Sequence, residues 1–143
     1  MNIKILKNAE INTEIRDFIH QGLIKHAIEK TQYDGEINHF AIIAEDQHQL
    51  MGALLANTFW GALNIRSLYV KTTHQNQGLG SHLLNQAFIQ GKNQACTFAT
   101  LETLSFQALD FYFKKGFKID FKREGYKLGS SYYYLSMPLN SIK

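Results

Sequence analysis

Apolar and polar positions follow two periods along this chain. Across residues 10–30 the apolar side chains Ile11, Ile15, Phe18, Ile19, Leu23, Ala27 and Ile28 recur at helical spacing. Gly22 interrupts the stretch at a cost of about 1 kcal/mol relative to alanine, which points to a break into two helices. Residues 3–6 precede it as a short strand, with Ile3 and Ile5 on one face. From His39 the period shortens. Residues 40–45, 50–59 and 62–71 read as three strands, the first two joined as a hairpin and the third reached through a turn at Gly61. In the third strand alternation puts Leu63, Ile65, Ser67 and Tyr69 on one face and Leu68 and Val70 on the other. A helix from Gly78 carries Leu83, Leu84, Ala87 and Phe88 and stops near Gly91. Residues 96–104 read as a strand. Ser105 is placed to cap a helix bearing Ala108, Leu109, Phe111 and Tyr112, and Lys114-Lys115-Gly116 ends that helix with cations and a glycine. Residues 117–121 and 132–139 supply two last strands. The order β-αα-β-β-β-α-β-α-β-β predicts an α+β fold with a mixed sheet, and residues 1–143 form one domain.

Residues 68–84, LYVKTTHQNQGLGSHLL, hold the chemistry this pattern presents. Strand formers Leu68, Tyr69 and Val70 run into a polar turn, then Gly78 and Gly80, then a helix. Backbone N–H groups at a helix start have no intrahelical partner and face whatever lies ahead, so such a turn suits an anion. Two better-known glycine loops fit poorly. A phosphate-binding P-loop needs Gly-Lys-Ser/Thr, which does not follow, and a dinucleotide fingerprint needs a third glycine where Leu83 stands.

Composition narrows the class. Apolar residues make up 45% and charged residues 19% of 143 positions, as in soluble globular domains. Fifteen lysines and arginines against 12 acidic residues leave a net charge of +3, too mild for nucleic-acid binding but compatible with an anionic ligand. The one cysteine, Cys96, rules out an intrachain disulfide and suits a reducing compartment. The first residues lack the apolar core of a signal peptide, and no apolar run has membrane-spanning length, so the expected setting is cytoplasmic with no membrane partner. Six histidines show no i, i+2 or i, i+4 pairing, which argues against a metal site.

Gln75-x-x-Gly78-x-Gly80 after Leu68-Tyr69-Val70 resembles the acyl-CoA-binding motif of the GNAT family of N-acetyltransferases. Downstream, the segment Ala108-Leu109-Asp110-Phe111-Tyr112-Phe113-Lys114-Lys115-Gly116-Phe117 resembles the family's late segment. The likeness spans nearly the whole chain. It implies a mixed, mostly antiparallel central sheet of about six or seven strands with helices on both faces. It also implies acetyl-CoA (CoA) as co-substrate without a metal, and an amine as acceptor. Dimers are common in the family, so a homodimer stays open. By the same likeness, pantetheine pairs with Leu68, Tyr69 and Val70 as an added strand, and the Leu68 N–H receives the oxyanion. The pyrophosphate rests on the run Gln75, Asn76, Gln77, Gly78, Leu79, Gly80 and Ser81. Tyr112 protonates the departing thiolate and also touches the cofactor. Within the turn, Gln75 stands where Arg is commoner and Asn76 where Gly is commoner. Ser105 occupies a position where many members carry a cofactor-contacting Asn. A strand carboxylate used as base by some members is missing from the Ile65–Ser67 segment, and Glu102 on the next strand is the nearest acidic candidate.

Other readings remain beside these. Tyr112 also suits the core side of an amphipathic helix, and Glu102 a solvated strand position. His74 and His82 flank the turn. Lys114, Lys115, Lys118, Lys122, Arg123 and Lys127 suit a solvated surface or the CoA ribose phosphate. Tyr132, Tyr133 and Tyr134 alternate on the last strand, one face core and the other open to an acceptor. A non-catalytic acyl-CoA-binding or regulatory module on the same fold is the alternative to an enzyme.

Overall fold

The computed structural model describes residues 1–139. The chain divides into two compact units, Met1–Glu36 and a second that begins at Ile37. The first holds a short 3-10 turn, Asn8–Glu10, and helix α1, Thr13–Thr31. Asn12 caps α1, its side chain accepting the Ile15 N–H at 3.1 Å, and Gln32 closes it in a left-handed conformation. Two expectations change here. Gly22 lies inside one continuous helix of 19 residues, because intrahelical hydrogen bonds on both sides outweigh a glycine penalty of about 1 kcal/mol. Residues 3–6 form no strand; Ile3 and Ile5 alternate correctly, but alternation by itself does not supply the neighbouring strand that must take a strand's hydrogen bonds.

The second unit is a six-stranded sheet in the order β1-β2-β3-β4-β6-β5. Its strands are β1 (Asn38–Asp46), β2 (Gln49–Phe59), β3 (Ala62–Val70), β4 (Phe98–Leu104), β5 (Lys118–Arg123) and β6 (Tyr132–Pro138). The hairpins β1–β2 and β2–β3 turn on two residues each. Gln47 and His48 have φ of 50° and 66°, and Trp60 and Gly61 have 49° and 82°. Positive φ at both turn positions matches the twist of the flanking strands. Every pairing is antiparallel except β3 with β4, which helix α2 (Leu79–Asn93) connects as a crossover. Helix α3 (Leu109–Lys114) joins β4 to β5.

One sheet face forms the core with these two helices. Leu54, Leu63 and Leu135 from the strands and Leu84 and Ala87 from α2 are all 1% exposed or less. Gly91, near which the helix was expected to stop, lies two residues before the end of α2 at Asn93. A Cβ there would come within 3.0 Å of Leu63 Cδ2, so the glycine serves close packing of helix on strand rather than termination. Among the described residues no helix is long and apolar enough to cross a membrane.

Candidate active site

The site starts from a defect in the sheet. On β2, Leu55 pairs with Ser67 and Ala56 with Ile65, so Arg66 has no partner and bulges out of β3. One extra residue reverses the alternation beyond it. Leu63 and Ile65 are buried, and past the bulge Leu68 and Val70 pack on the same core while Tyr69 is 64% exposed. This corrects the simple alternation, which grouped Leu63 and Ile65 with Ser67 and Tyr69. The parallel ladder between β3 and β4 runs from Ala62↔Phe98 to Ile65↔Leu101 and stops there, although both strands continue. Beyond the last pair the facing strand edges are unpaired, and two cavities open.

The larger is a groove of about 590 Å³. Leu68, Tyr69, Val70, Gln75, Asn76, Gly78, Leu79, Gly80, Ser81 and Tyr112 line it, ten of the residues expected to hold the cofactor. Gln77 and Ser105 do not. Gln77 faces a neighbouring cavity of about 390 Å³ shared with Glu45 and Asp46. Ser105 does not cap α3 either: its Oγ accepts the Ser131 N–H at 3.1 Å, and its own N–H donates to the Ser131 carbonyl at 2.8 Å. The cap residue of α3 is Ala108. Gln107 closes the turn instead, its Oε1 accepting from the Leu104 N–H at 3.0 Å and the Thr103 hydroxyl at 3.1 Å.

The glycine turn is shaped by backbone geometry. Gly78 caps α2 at φ 81° and Asn76 sits at φ 63°, a left-handed conformation that asparagine tolerates better than most side chains. The first intrahelical bond runs from His82 N–H to the Gly78 carbonyl at 3.0 Å. The N–H groups of Leu79, Gly80 and Ser81 therefore have no helical partner, at the positive end of the helix dipole. No carboxylate lines the groove. The Gln75 carboxamide turns back to the strand, donating to the Val70 carbonyl at 2.8 Å. Lys71 N–H donates to Met51 on β2, and across a trans peptide the Val70 carbonyl points the opposite way, to the open edge of β3. Gln75 thus caps the strand edge.

The smaller cavity, about 210 Å³, lies between the continuing ends of β3 and β4. Arg66, Glu102 and Gln107 bring polar groups to it, and Leu68, Ala108 and Tyr112 line both cavities. Tyr112 owes its position to the end of α3. The Phe117 N–H bonds back to the Tyr112 carbonyl and the Gly116 N–H to that of Phe113, both at 3.1 Å, with Gly116 at φ 106°. This is a Schellman ending. Its hydrophobic contact is the Tyr112–Phe117 ring pair, 5.8 Å between centroids, and the Phe111 ring lies 5.2 Å from that of Tyr112. Burial raises the Tyr112 phenol above its ordinary pKa. Among the described residues nothing hydrogen-bonds the Tyr112 hydroxyl, and no buried side-chain polar atom lacks a partner, so the hydroxyl opens onto the cavities.

Glu102 is held from the other side. The Tyr132 hydroxyl donates to its Oε2 at 2.9 Å, within a chain of rings in which Tyr132 lies 5.4 Å from Tyr126 and 5.3 Å from Tyr134. Desolvation, and then the bond to Glu102, push Tyr132 up to about 12. A phenol with a raised folded pKa contributes stability that is complete below the unfolded value and is lost as pH climbs through the folded one. Chemical denaturation between pH 10 and 12 is expected to show stability falling less steeply in Tyr132→Phe than in the parent; parallel curves would refute this coupling. Among the described residues no group of three or more His, Cys, Asp or Glu side chains is arranged to hold a metal ion.

The family model for the acetyltransferase (GNAT) domain matches residues 37–119, more than half of the 143-residue chain. The chain belongs to the GNAT family. The matched stretch runs from the start of the sheet through the glycine turn and Tyr112 into β5. Among curated proteins, the blasticidin-S acetyltransferase of Streptomyces morookaense is 29% identical over 75 residues, 52% of this chain. That match spans 55% of the relative, so the chain covers about half the length of the curated relative it matches. Solved structures share the fold. An acetyltransferase from Bacillus cereus ATCC 14579 superposes with a TM-score of 0.77 at 20% identity over 94% of this chain and 97% of that one. A structure from Agrobacterium tumefaciens reaches 0.83 at 22%, covering 96% and 99%. A third, from Bacillus anthracis str. Ames in complex with acetyl coenzyme A, gives 0.64 at 24%, covering 71% and 62%.

Sequence reasoning gave no role to Arg66, Gln107 or Phe111. Phe111 had a signal: with Ala108 and Tyr112 it falls at i, i+3 and i+4 on α3, the face that lines the groove. Arg66 and Gln107 had none, since a bulge and a side-chain-closed turn depend on partners distant in sequence.

Proposed function

We propose that this GNAT member transfers an acetyl group from acetyl-CoA to a primary amine by direct attack within a ternary complex. The observation that carries the reading is the shared wall: Leu68 and Tyr112 line both the large groove and the small cavity. A thioester laid along the groove reaches the place where an acceptor in the small cavity begins. The blasticidin-S relative and the acetyl coenzyme A complex of the Bacillus anthracis structure support the same choice of acyl donor and reaction.

In this reading pantetheine amides pair with the open edge of Leu68–Val70, and Gln75 releases or shares the Val70 carbonyl. The pyrophosphate sits on the N–H groups of the turn, where no carboxylate opposes it. The amine, as its free base, attacks the thioester carbonyl carbon. A C–N bond forms, and the carbonyl oxygen takes negative charge facing the Leu68 N–H. The C–S bond then breaks. The nitrogen gives up its proton to Glu102, directly or through water, and Tyr112 protonates the thiolate. The products are an acetamide and CoA. No nucleophile elbow of the form G-x-S-x-G occurs in the chain, in keeping with direct attack.

Calorimetry with acetyl-CoA, combined with thiol release against a panel of amines, tests this. Saturable binding and amine-dependent thiol release are expected. Binding without transfer to any amine would favour a non-catalytic acyl-CoA-binding module, and absence of CoA binding would sink both readings.

A further inference from the structure

The small cavity carries two opposite charges that do not neutralise each other. Arg66 is the bulged residue of β3, and Glu102 is one step past the last β3–β4 pair. Both line the same space of about 210 Å³. Yet among the described residues neither forms an ion pair; the one salt bridge there joins Lys122 to Glu124 at 3.4 Å. Glu102 is oriented by the Tyr132 hydroxyl. Arg66, the bulged residue of β3, lines the cavity with its side chain exposed.

We infer that the acceptor is an aminocarboxylate, its reacting amine set beside Glu102 and its carboxylate paired with Arg66. This rests on the acetyl-transfer reading and narrows its acceptor class. The physical argument has two halves. Arg66 and Glu102 are both exposed, so an acceptor seated between them displaces part of their water, and a charge it leaves unmatched makes that loss unfavourable. A carboxylate matches the planar guanidinium in a two-point pair, and an ammonium matches Glu102. A diamine, by contrast, brings a second cation towards Arg66, and a simple amine leaves Arg66 unmatched. The cavity therefore selects by repulsion as well as attraction. The chemistry balances as before: the ammonium first loses one proton to water, the free amine attacks, the nitrogen gives its next proton to Glu102, the C–S bond breaks, and the thiolate takes a proton from Tyr112. The carboxylate stays unreacted on Arg66 throughout.

The experiment compares kcat/KM, with acetyl-CoA, for L-alanine against L-alaninamide, β-alanine against β-alaninamide, and putrescine. The parent protein is expected to favour each carboxylate over its amide by about tenfold, the value of one favourable charge pair of about 1.4 kcal/mol. Arg66→Gln is expected to bring both ratios close to one, and Arg66→Lys to keep most of the preference. Comparing ratios between parent and variant cancels the different basicity of the acid and amide amines. A parent that prefers the amides or putrescine, or an Arg66→Gln variant with unchanged ratios, overturns the inference while leaving acetyl transfer standing. No transfer to any acceptor overturns acetyl transfer itself, and this inference with it.

Discussion

Replacing Tyr112 by phenylalanine is expected to lower turnover about 100-fold while acetyl-CoA affinity stays within about twofold, the lower range for a lost general acid. The substitution removes one oxygen and keeps the ring. The ring packs against Phe111 at 5.2 Å and Phe117 at 5.8 Å, and the Schellman ending of α3 depends on backbone groups and Gly116, so position and fold are retained. What goes is the hydroxyl at the wall common to the two cavities. Burial raises the phenol above 10.0, so it is a weaker acid than a free tyrosine and cannot simply hand a proton to a thiolate, whose own conjugate acid lies at about 8.5. Its donation must accompany C–S cleavage, when the sulfur gains charge and the phenolate begins to form together. The raised value also moves any loss of activity from ionisation of Tyr112 to higher pH than a free tyrosine would show. Stopped thiol release with the phenylalanine variant checks the first claim, and the pH profile of the parent checks the second. Unchanged turnover would end the acid role.

Leu63→Ala is expected to cost about 3 kcal/mol of stability, in the range for a leucine deleted from a rigid core. Leu63 is fully buried at the middle of the sheet, and α2 presses on it through Gly91, whose missing Cβ lets the helix approach. The neighbouring backbone is held by pairing to Thr58 on β2 and to Ala99 on β4, so the cavity cannot collapse easily. The melting temperature should fall by roughly 10 °C, given a few degrees per kcal/mol for a chain of this size. Leu63 lies on the paired half of β3, before the bulge, so the folded fraction should keep its acetyl-CoA affinity. Urea titration measures the loss, and a value below about 1 kcal/mol would show that the core relaxes far more than this packing allows.

Much of the site was legible because its signals are local. A glycine able to hold φ 81° at the start of an apolar helical stripe predicts α2 and the exposed N–H groups at its head. Lys114-Lys115-Gly116 predicts where α3 ends, and the Schellman bonds place Tyr112 there. The two tight hairpins follow from short polar or glycine-bearing turns between apolar strands. The same local reasoning failed at Ser105. Its hydroxyl has the chemistry of a helix cap, but the backbone of Ser131, 26 residues away, competes for it and wins. At Gln75 the residue was identified, while the destination of its carboxamide, the Val70 carbonyl, depends on which way the strand edge faces.

What the sequence determined by itself is the large groove: strand, glycine turn, helix and the tyrosine that follows. Each is encoded by a short run of residues whose torsional preferences and periodicity act over one or two turns of chain. What only the tertiary structure decided is the small cavity. Alternation predicted a flat β3, but pairing with β2 leaves Arg66 without a partner, reverses the faces beyond it and ends the ladder to β4 at Leu101. That places Arg66, Glu102 and Gln107 around one cavity, with Tyr132 fixing the carboxylate from a strand 30 residues on. A register shift is a choice between two ways of pairing the same residues, and the energy that decides it comes from neighbours on other strands.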